Sequence, residues 1–277
     1  MPDKPLPEFM QKRFNVKTVE EMWRKNLTEG NVRLRRYRSV YGRIPSNPRC
    51  VNCHRPFAGI GGTLFRAIYR QNFRKSDKNP RYCIGCYSFT EQFPGGAEIE
   101  LTMLFVDVRG STPMAEKMHD VDFSRLMNRF YEAAINVLVH EDAFIDKLVG
   151  DEVTALFIPG YAGENHAEKA VKAGRKLLSV TGHGDRSGPW VPVGVGIHTG
   201  TAWVGSIAGA SGEAADFTAL GDNVNVAARL ASKAAQGEVI ASEATLKAAS
   251  LDINSLEIRD LELKGKSEPV RVGVLGV

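Results

Sequence analysis

The chain contains four cysteines, and all of them lie in two C-x-x-C pairs, Cys50/Cys53 and Cys83/Cys86. Each pair can place two thiolates on one tight turn, and two such turns complete a tetrahedral metal site. The 29 residues between the pairs, 54–82, exceed the common spacing of a zinc ribbon. This spacing indicates a larger metal knuckle of a treble-clef-like shape. A segment of this size with few large apolar residues also gains stability from a bound metal. We therefore expect a small metal-stapled N-terminal domain.

Zinc is the metal that we expect at the four cysteines. An iron–sulfur cluster uses the same set of thiolates, and two redox dithiols or simply buried cysteines are the remaining interpretations. Zinc would make this domain a structural platform that helps to set the geometry of a dimer. An iron–sulfur cluster would make redox control plausible, so a regulatory role for the domain depends on the metal.

The charge of the chain changes sign near residue 95. Residues 1–95 carry 19 Lys and Arg against 7 Asp and Glu, a balance of +12, whereas residues 96–277 carry 17 against 25, a balance of −8. The Pro-Gly-Gly sequence in EQFPGGAEIE falls at the same place and is a turn signal. Together these features predict two domains, 1–95 and 96–277.

The basic segment NVRLRRYRSVYGR, residues 31–43, places tyrosines among arginines, a combination that can contact nucleic acid. The alternative is a solvated helix whose aromatic side chains pack on the cysteine knuckle or on the acidic second domain. The opposite charges of the two halves favour this alternative, so we do not expect a nucleic-acid partner. The competing hypothesis for the function is a binding module in which the metal knuckle recruits a protein or a nucleic acid.

Composition and hydropathy indicate an ordinary globular protein, with 43% hydrophobic and 25% charged residues. The sequence has no run of about 18 apolar residues, so no membrane partner is expected. Residues 1–14, MPDKPLPEFMQKRF, lack the apolar core of a signal peptide, which predicts a cytoplasmic protein.

The stretch LTMLFVDVRGST, residues 101–112, predicts a buried strand that ends in a carboxylate, Asp107. A buried and unpaired carboxylate costs several kcal/mol or gives up its charge. Further along, AFIDKLVGDEVTALFI predicts a hairpin whose turn contains Asp151. The overall order, strand–helix–strand–strand–helix–strand, is that of a ferredoxin-like βαββαβ core. We therefore expect an α+β domain with this core and additional elements.

In this order the first strand pairs beside the hairpin, so Asp107 and Asp151 can converge at one edge of the sheet. Mg²⁺ binds through a few carboxylates, and the phosphates of a substrate complete its coordination. The four residues after the strand lead into a helix, and their backbone N–H groups can cradle phosphates. These four are Arg109, Gly110, Ser111 and Thr112. A structural ion pair of Asp107 with Arg109 or Lys147 is the alternative.

Six segments of the second domain resemble the class III nucleotidyl cyclases, in the order of that family and at roughly its spacing. They are LFVDVRGST, DKLVGDEVTALF, GIHTGTAWVGSIAG, DFTALGDNVNVAARL, GEVIASEAT and LKGKSEPVRV. The resemblance covers about residues 98–277. It implies conversion of a nucleoside triphosphate to a 3′,5′-cyclic nucleotide and pyrophosphate, with two Mg²⁺ or Mn²⁺ ions in each active site, for signal transduction.

The resemblance also assigns roles to four residues of the reaction centre. Asp107 and Asp151 match the aspartates that hold the two metal ions. Asn225 and Arg229 match the residues that steady the ribose and the pentavalent phosphorus. In this family the metal aspartates come from one subunit, and the purine and transition-state residues come from the other. The resemblance therefore implies a homodimer with two equivalent sites.

Substrate choice is implied in the same way. Lys147 and Thr218 match the pair that reads the purine. Guanylate cyclases usually have Glu at the first of these positions and Cys or a small residue at the second, so this pair favours ATP over GTP. Lys264 or Lys266, in LKGKSE, matches a lysine that contacts the terminal phosphates.

Three further polar residues are expected to have structural roles. His198, in GIHTG, lies on an apolar strand and is expected to be a core or edge histidine. Asp222 is expected to cap a helix that starts at Asn223, and Asp216 is expected to support its loop.

Overall fold

A computed structural model describes residues 4–69, 74–208 and 214–276. The helices are α1 (Glu8–Phe14), α2 (Val19–Thr28), α3 (Val32–Gly42), α4 (Gly59–Tyr69), α5 (Ile84–Gln92), α6 (Ser111–Lys117), α7 (Asp120–His140), α8 (Pro159–Ala162), α9 (His166–Val180), α10 (Asp222–Lys233) and α11 (Glu243–Ala248). The strands are β1 (Gly96–Val108), β2 (Phe144–Val149), β3 (Glu152–Phe157), β4 (Val193–Ala208), β5 (Ala214–Leu220), β6 (Val239–Ser242), β7 (Glu257–Leu261) and β8 (Val270–Leu275). None of the helices in these ranges has the length and apolar character needed to cross a bilayer.

The chain folds into two compact units. The first consists of Met1–Ile99, Ile158–Gly163 and Thr201–Leu220. The second consists of Glu100–Phe157, Glu164–Gly200 and Gly221–Val277. The first unit therefore holds the cysteine-containing segment together with two later segments, one of which includes β5.

The second unit is built on a sheet with the strand order β2-β3-β1-β4-β6-β8-β7. The first four of these strands, with α7 and α9 between them in sequence, form the ferredoxin-like βαββαβ core that the sequence predicts. β3 pairs antiparallel with β1, from Thr102 opposite Phe157 to Asp107 opposite Glu152. This register brings the end of β1 beside the turn of the β2–β3 hairpin.

Helix α10 lies close to β4 because the two elements meet through small residues. A Cβ added at Gly196 would overlap the backbone nitrogen of Ala231, so only glycine permits this approach. The buried face of α10 consists of Val226, Ala227, Leu230 and Ala231, at the spacing of an amphipathic helix. The polar face of the helix is thereby left to carry Asn225 and Arg229.

In the first unit, Trp23 on α2 is the centre of the apolar core. Its ring packs edge to face on Phe89 of α5 and in a tilted arrangement on Phe217 of β5, with centroid distances of 5.5 Å in both pairs. Its indole N–H donates to the carbonyl oxygen of Phe93 at 3.0 Å. One buried side chain therefore joins α2, α5 and β5.

The basic helix α3 is partly internal to the first unit. Arg38 is buried, donates to the carbonyl of Asn52 and lies 4.9 Å from the ring centroid of Tyr161. Tyr41 packs edge to face on Phe65 of α4 at 5.1 Å. Tyr41 is therefore packed, as the second interpretation expects, whereas Tyr37 is 42% exposed.

Candidate active site

Asp107 and Asp151 lie together at one edge of the sheet of the second unit. Asp107 is near the end of β1, and Asp151 is in the turn between β2 and β3, where Gly150 has a φ of 61°. The amide of Val108 donates to the carbonyl of Asp151 at 3.1 Å, which ties the end of β1 to the turn. The structure therefore brings together the two carboxylates that the strand order predicts to converge.

The electrostatics of this edge disfavour ionised carboxylates in the absence of a cation. Burial raises the pKa of Asp107, and Asp151 raises it further through its charge and a side-chain hydrogen bond. The guanidinium of Arg109 opposes this, with its Nη1 3.3 Å from Asp107 Oδ2. The pKa of Glu152 is also raised, first by burial and then by the charges of Asp107 and Asp151. Because a divalent cation would relieve this crowding, the residues fit a metal site.

Two side chains hold the turn between β2 and β3 in place. The hydroxyl of Ser111 donates to Asp151 Oδ2, and the hydroxyl of Tyr131 on α7 donates to the carbonyl of Gly150. Ser111 therefore orients a carboxylate in addition to its expected place in the phosphate cradle. Sequence reasoning missed Tyr131, because a tyrosine in an amphipathic helix gives no signal of such a contact.

Arg109 does not fit the expected phosphate cradle. Its amide donates to the carbonyl of Pro192 at 2.8 Å, so this N–H is used within the chain. Its guanidinium reaches from Asp107 to the carbonyl of Ala231 near the end of α10, where helix carbonyls attract cations. Of the four residues expected to cradle phosphates, only residues 110–112, at the start of α6, keep amides that could do so. The alternative ion pair of Asp107 with Arg109 is present, beside the second carboxylate.

Asn225 and Arg229 lie one turn apart on α10, on the same side of the helix. Asn225 is exposed. The guanidinium of Arg229 lies over Gly265, where an added Cβ would be 3.6 Å from Nη2. Its Nη1 is buried and has no hydrogen-bond acceptor among the residues that the structure describes. A buried donor without an acceptor costs about 1–3 kcal/mol, which an anionic ligand such as a phosphate would offset.

The two candidate lysines differ in their surroundings. Lys266 pairs with Asp222 at the start of α10, whereas Lys264 is exposed. The ammonium of Lys266 lowers the pKa of Asp222. The expectation that Asp222 caps this helix is wrong, because the helix begins at Asp222, the N-cap is Gly221 and there is no side-chain cap. The carboxylate pairs with Lys266 instead.

The two residues expected to read the purine lie in different units. Lys147 is exposed on the edge strand β2, next to the exposed side chains of Leu148 and Val149. Thr218 lies on β5 opposite Gly205 of β4 and is 1% exposed. Its hydroxyl is 3.5 Å from the carbonyl oxygen of Ala219.

Asp216, two residues before Thr218, is fixed by a contact that sequence reasoning missed. Arg81 Nη1 lies 3.1 Å from both carboxylate oxygens of Asp216. Asp216 Oδ1 also accepts a hydrogen bond from the amide of Phe217 at 2.9 Å. Asp216 was expected to support its loop, whereas it lies within β5 and pairs with a residue of the cysteine-containing segment.

The four cysteines form a compact cluster in the first unit. Their sulfur atoms all lie within 4.8 Å of one another, and Cys53 Sγ is 3.7 Å from Cys83 Sγ. Four sulfurs about 2.3 Å from one tetrahedral zinc ion would be about 3.8 Å apart. The amide of Cys83, the residue before α5, donates to Cys50 Sγ at 3.3 Å, which ties the two pairs together. The donor set therefore fits a single tetrahedral ion.

The ionisation of the thiols points the same way. Hydrogen bonds from the neighbouring thiols, first that of Cys50, lower the pKa of Cys83, and the charge of Arg55 lowers it further. Hydrogen bonds with Cys50 and Cys83 raise the pKa of Cys53, and hydrogen bonds with Cys50, Cys53 and Cys83 raise the pKa of Cys86. Without a metal, the protein therefore stabilises fewer than four of the cysteines as thiolates. A bound metal ion would displace the protons from the remaining thiols.

A family model described as the adenylate and guanylate cyclase catalytic domain matches residues 97–275. The chain is 32% identical to an adenylate cyclase of Anabaena cylindrica over 144 residues, 47% of this chain and 26% of that protein. It is 33% identical to the terminal-differentiation-specific adenylate cyclase of Dictyostelium discoideum over 183 residues, 62% of this chain and 8% of that protein. The chain thus spans a minor part of the length of these relatives.

Solved structures with a similar fold include cyclases of both kinds. The guanylyl cyclase Cya2 matches with a TM-score of 0.57 and 26% identity, covering 66% of this chain and 95% of that one. The adenylyl cyclase CyaB from P. aeruginosa matches with a TM-score of 0.56 and 28% identity, covering 66% and 96%.

Proposed function

Because the chain belongs to the adenylate and guanylate cyclase family, we propose that it is an adenylate cyclase that converts ATP to 3′,5′-cyclic AMP and pyrophosphate for cyclic-nucleotide signalling. The observation that carries this proposal is the pairing of two complementary features in one chain. A crowded carboxylate pair, Asp107 and Asp151, fits metal ions. Arg229 has a buried amino group without an acceptor among the described residues, which fits a phosphate.

In the proposed reaction the ribose 3′-hydroxyl attacks the α-phosphorus and pyrophosphate leaves. Mg²⁺ or Mn²⁺ held by Asp107 and Asp151 would supply positive charge that lowers the pKa of the hydroxyl and offsets the charge of the phosphates. Arg229 stabilises the negative charge on the α-phosphoryl oxygens, and Asn225 orients the ribose without adding charge. Lys264 contacts the terminal phosphates.

We propose that the active enzyme is a homodimer. Asp107 and Asp151 form the first set, and Asn225 and Arg229 on α10 form the second. No hydrogen bond or ion pair among the described residues joins Arg229 to either aspartate, although Arg109 reaches from Asp107 to Ala231 of α10. Two copies arranged head to tail would bring the first set of one copy to the second set of the other. On the edge strand β2, the side chains of Leu148 and Val149 are apolar and exposed. This exposure supports the proposal that a second copy covers this part of the surface.

The proposal is tested by turnover of the purified protein with ATP and with GTP, each with Mg²⁺ and with Mn²⁺. We expect cyclic AMP as the main product, identified by mass spectrometry. Cyclic GMP as the main product would make the protein a guanylate cyclase. The absence of any cyclic product from a dimeric preparation would overturn the enzyme assignment and favour a metal-knuckle binding module.

The choice of ATP rests on Lys147 and Thr218, and the exposed Lys147 gives a direct test. We expect Lys147→Glu to lower kcat/KM for ATP relative to GTP by about tenfold or more, because a lysine that donates to the purine is replaced by an acceptor. The measurement is kcat/KM for both nucleotides. Lys176→Glu, at an exposed position on α9, is the matched control. An unchanged ATP to GTP ratio in Lys147→Glu would remove Lys147 from purine recognition.

We also propose that the four cysteines bind zinc. Sulfur atoms that all lie within 4.8 Å of one another favour a single ion. In an iron–sulfur cluster the thiolates bind different iron atoms and surround the whole cluster. The four cysteine sulfur atoms would therefore lie further apart than they would around one zinc ion. The proposed role is structural, since Cys83 and Cys86 belong to the start of α5, and α5 supplies Phe89 to the core around Trp23.

A further inference from the structure

Seven polar side chains form a continuous hydrogen-bonded chain within the second unit. Successive members are joined by contacts of 2.8–3.1 Å. In order they are His166, Thr102, Thr199, Thr245, Ser242, His198 and Asn223. The first six are buried. The chain runs from the first residue of α9, through β1, β4, α11 and β6, to the first turn of α10.

His198 is the link that joins this chain to α10. Its Nε2 lies 2.9 Å from Asn223 Oδ1, which is an acceptor, so the ring proton is assigned to Nε2. Its Nδ1 therefore accepts a hydrogen bond from the hydroxyl of Ser242 at 2.8 Å. Burial lowers the pKa of His198, which favours the neutral ring. Both ring nitrogens are thus used to bridge β6 and α10.

Asn223 ties the first turn of α10 to His198, in addition to the ion pair of Asp222 with Lys266. The N-cap of the helix is Gly221, which has no side chain to bond the first amides. The side-chain amide of Asn223 lies flat against Gly200, where an added Cβ would be 2.7 Å from Asn223 Cγ. Asn223 is therefore held between His198 and the backbone of β4.

We propose that His198 and Asn223 are positioning residues for α10. In this arrangement His198 fixes Asn223, and Asn223 sets the orientation of the helix turn that carries Asn225 and Arg229. The inference rests on the proposed function, because the cyclase reaction gives Asn225 and Arg229 their roles. A misplacement of about 1 Å at a reacting centre can reduce a rate by about 10²-fold. A helix that is loosely anchored at its first turn would produce such a displacement.

Two substitutions at His198 separate its two contacts. In His198→Gln, the longer side chain can still donate to Asn223 from the position of Nε2, but it loses the acceptor at Nδ1. In His198→Asn, the shorter side chain reaches only the position of Nδ1 and loses Asn223. We expect His198→Asn and Asn223→Ala to lower kcat by about tenfold with KM changed less than about twofold, and His198→Gln to retain kcat. The double variant of His198→Asn and Asn223→Ala should lose no more than either single variant.

Amide hydrogen exchange of residues 221–230 gives a readout that does not depend on activity. We expect faster exchange at the start of α10 in His198→Asn and Asn223→Ala, and wild-type exchange in His198→Gln. His140→Asn, at an exposed histidine of α7, is the matched control. Wild-type protein without a cyclic product would refute the proposed function, while the exchange pattern would still decide whether His198 anchors α10. Equal behaviour of His198→Asn and His198→Gln, or additive losses in the double variant, would overturn the inference.

Discussion

Asp107→Ala and Arg229→Ala are each expected to lower cyclase turnover by about 10²–10³-fold, and an equal mixture of the two is expected to regain activity. Under the proposed function, Asp107→Ala would remove a metal ligand, whereas Arg229→Ala would remove the stabilising charge at the α-phosphoryl group. In a head-to-tail dimer, a mixed pair has one site with both defects and one site with neither. Because half of the dimers are mixed, the recovered turnover should be about a quarter of the wild-type value.

The measurement is the rate of cyclic AMP formation by each variant alone and after mixing under conditions of subunit exchange. Arg125→Ala, at an exposed arginine of α7, serves as a control with wild-type turnover expected. Subunit exchange is confirmed by mass spectrometry of differently tagged variants. A mixture that contains mixed dimers but is as inactive as its components would show that each site lies within a single chain.

Loss of the metal from the four cysteines is expected to unfold the first unit. Structural zinc sites in zinc-finger peptides have apparent binding free energies of about 10–16 kcal/mol, which is comparable to the whole stability of a small domain. We therefore expect Cys83→Ser to lose the bound metal and the protection of α2 and α5 against hydrogen exchange. The measurements are elemental analysis of the purified protein and exchange of residues 19–28 and 84–92.

Ser88→Ala, at an exposed position on α5, is the control for Cys83→Ser and should keep the metal. The wild-type stoichiometry also distinguishes the metals, since one zinc per chain is expected and a cluster would give several irons with visible absorbance. Metal-free wild-type protein whose α2 and α5 are as protected as in a metal-loaded sample would contradict a structural metal. It would return the cysteines to the dithiol interpretation.

Much of the second unit could be predicted because its signals are local. The apolar run of β1, the period of the buried residues of α7 and the turn at Gly150 and Asp151 each lie within one short stretch of sequence. β4 is a single strand, Val193–Ala208, although its glycines resemble breaks in the sequence. At Gly196 the glycine instead lets α10 approach the strand. β7 has no such local signal, because EIRDL is a partly exposed edge strand without an apolar run.

The convergence of the two aspartates could be predicted from strand order, whereas the partners of other site residues could not. The amide of Arg109 bonds to Pro192, Asp222 pairs with Lys266, and Arg81 pairs with Asp216. Each of these contacts joins residues far apart in sequence, and neither partner has a local pattern that indicates the other. The polar chain through His198 is hidden for a different reason. Its threonines and serine stand in strands and helix starts, where these residue types are common.

The contacts of β5 limit which segments of this protein could be exchanged with those of another protein. Phe217 packs on Trp23 and Asp216 bonds to Arg81, so the strand that carries Thr218 is packed against residues that precede the family match at 97–275. A chimera that fuses 97–275 to a foreign N-terminal segment would leave the buried ring of Phe217 and the carboxylate of Asp216 without these partners. The first 95 residues and the 201–220 hairpin would therefore have to be exchanged together. We therefore expect that residues 97–275 could not be transferred to another protein on their own.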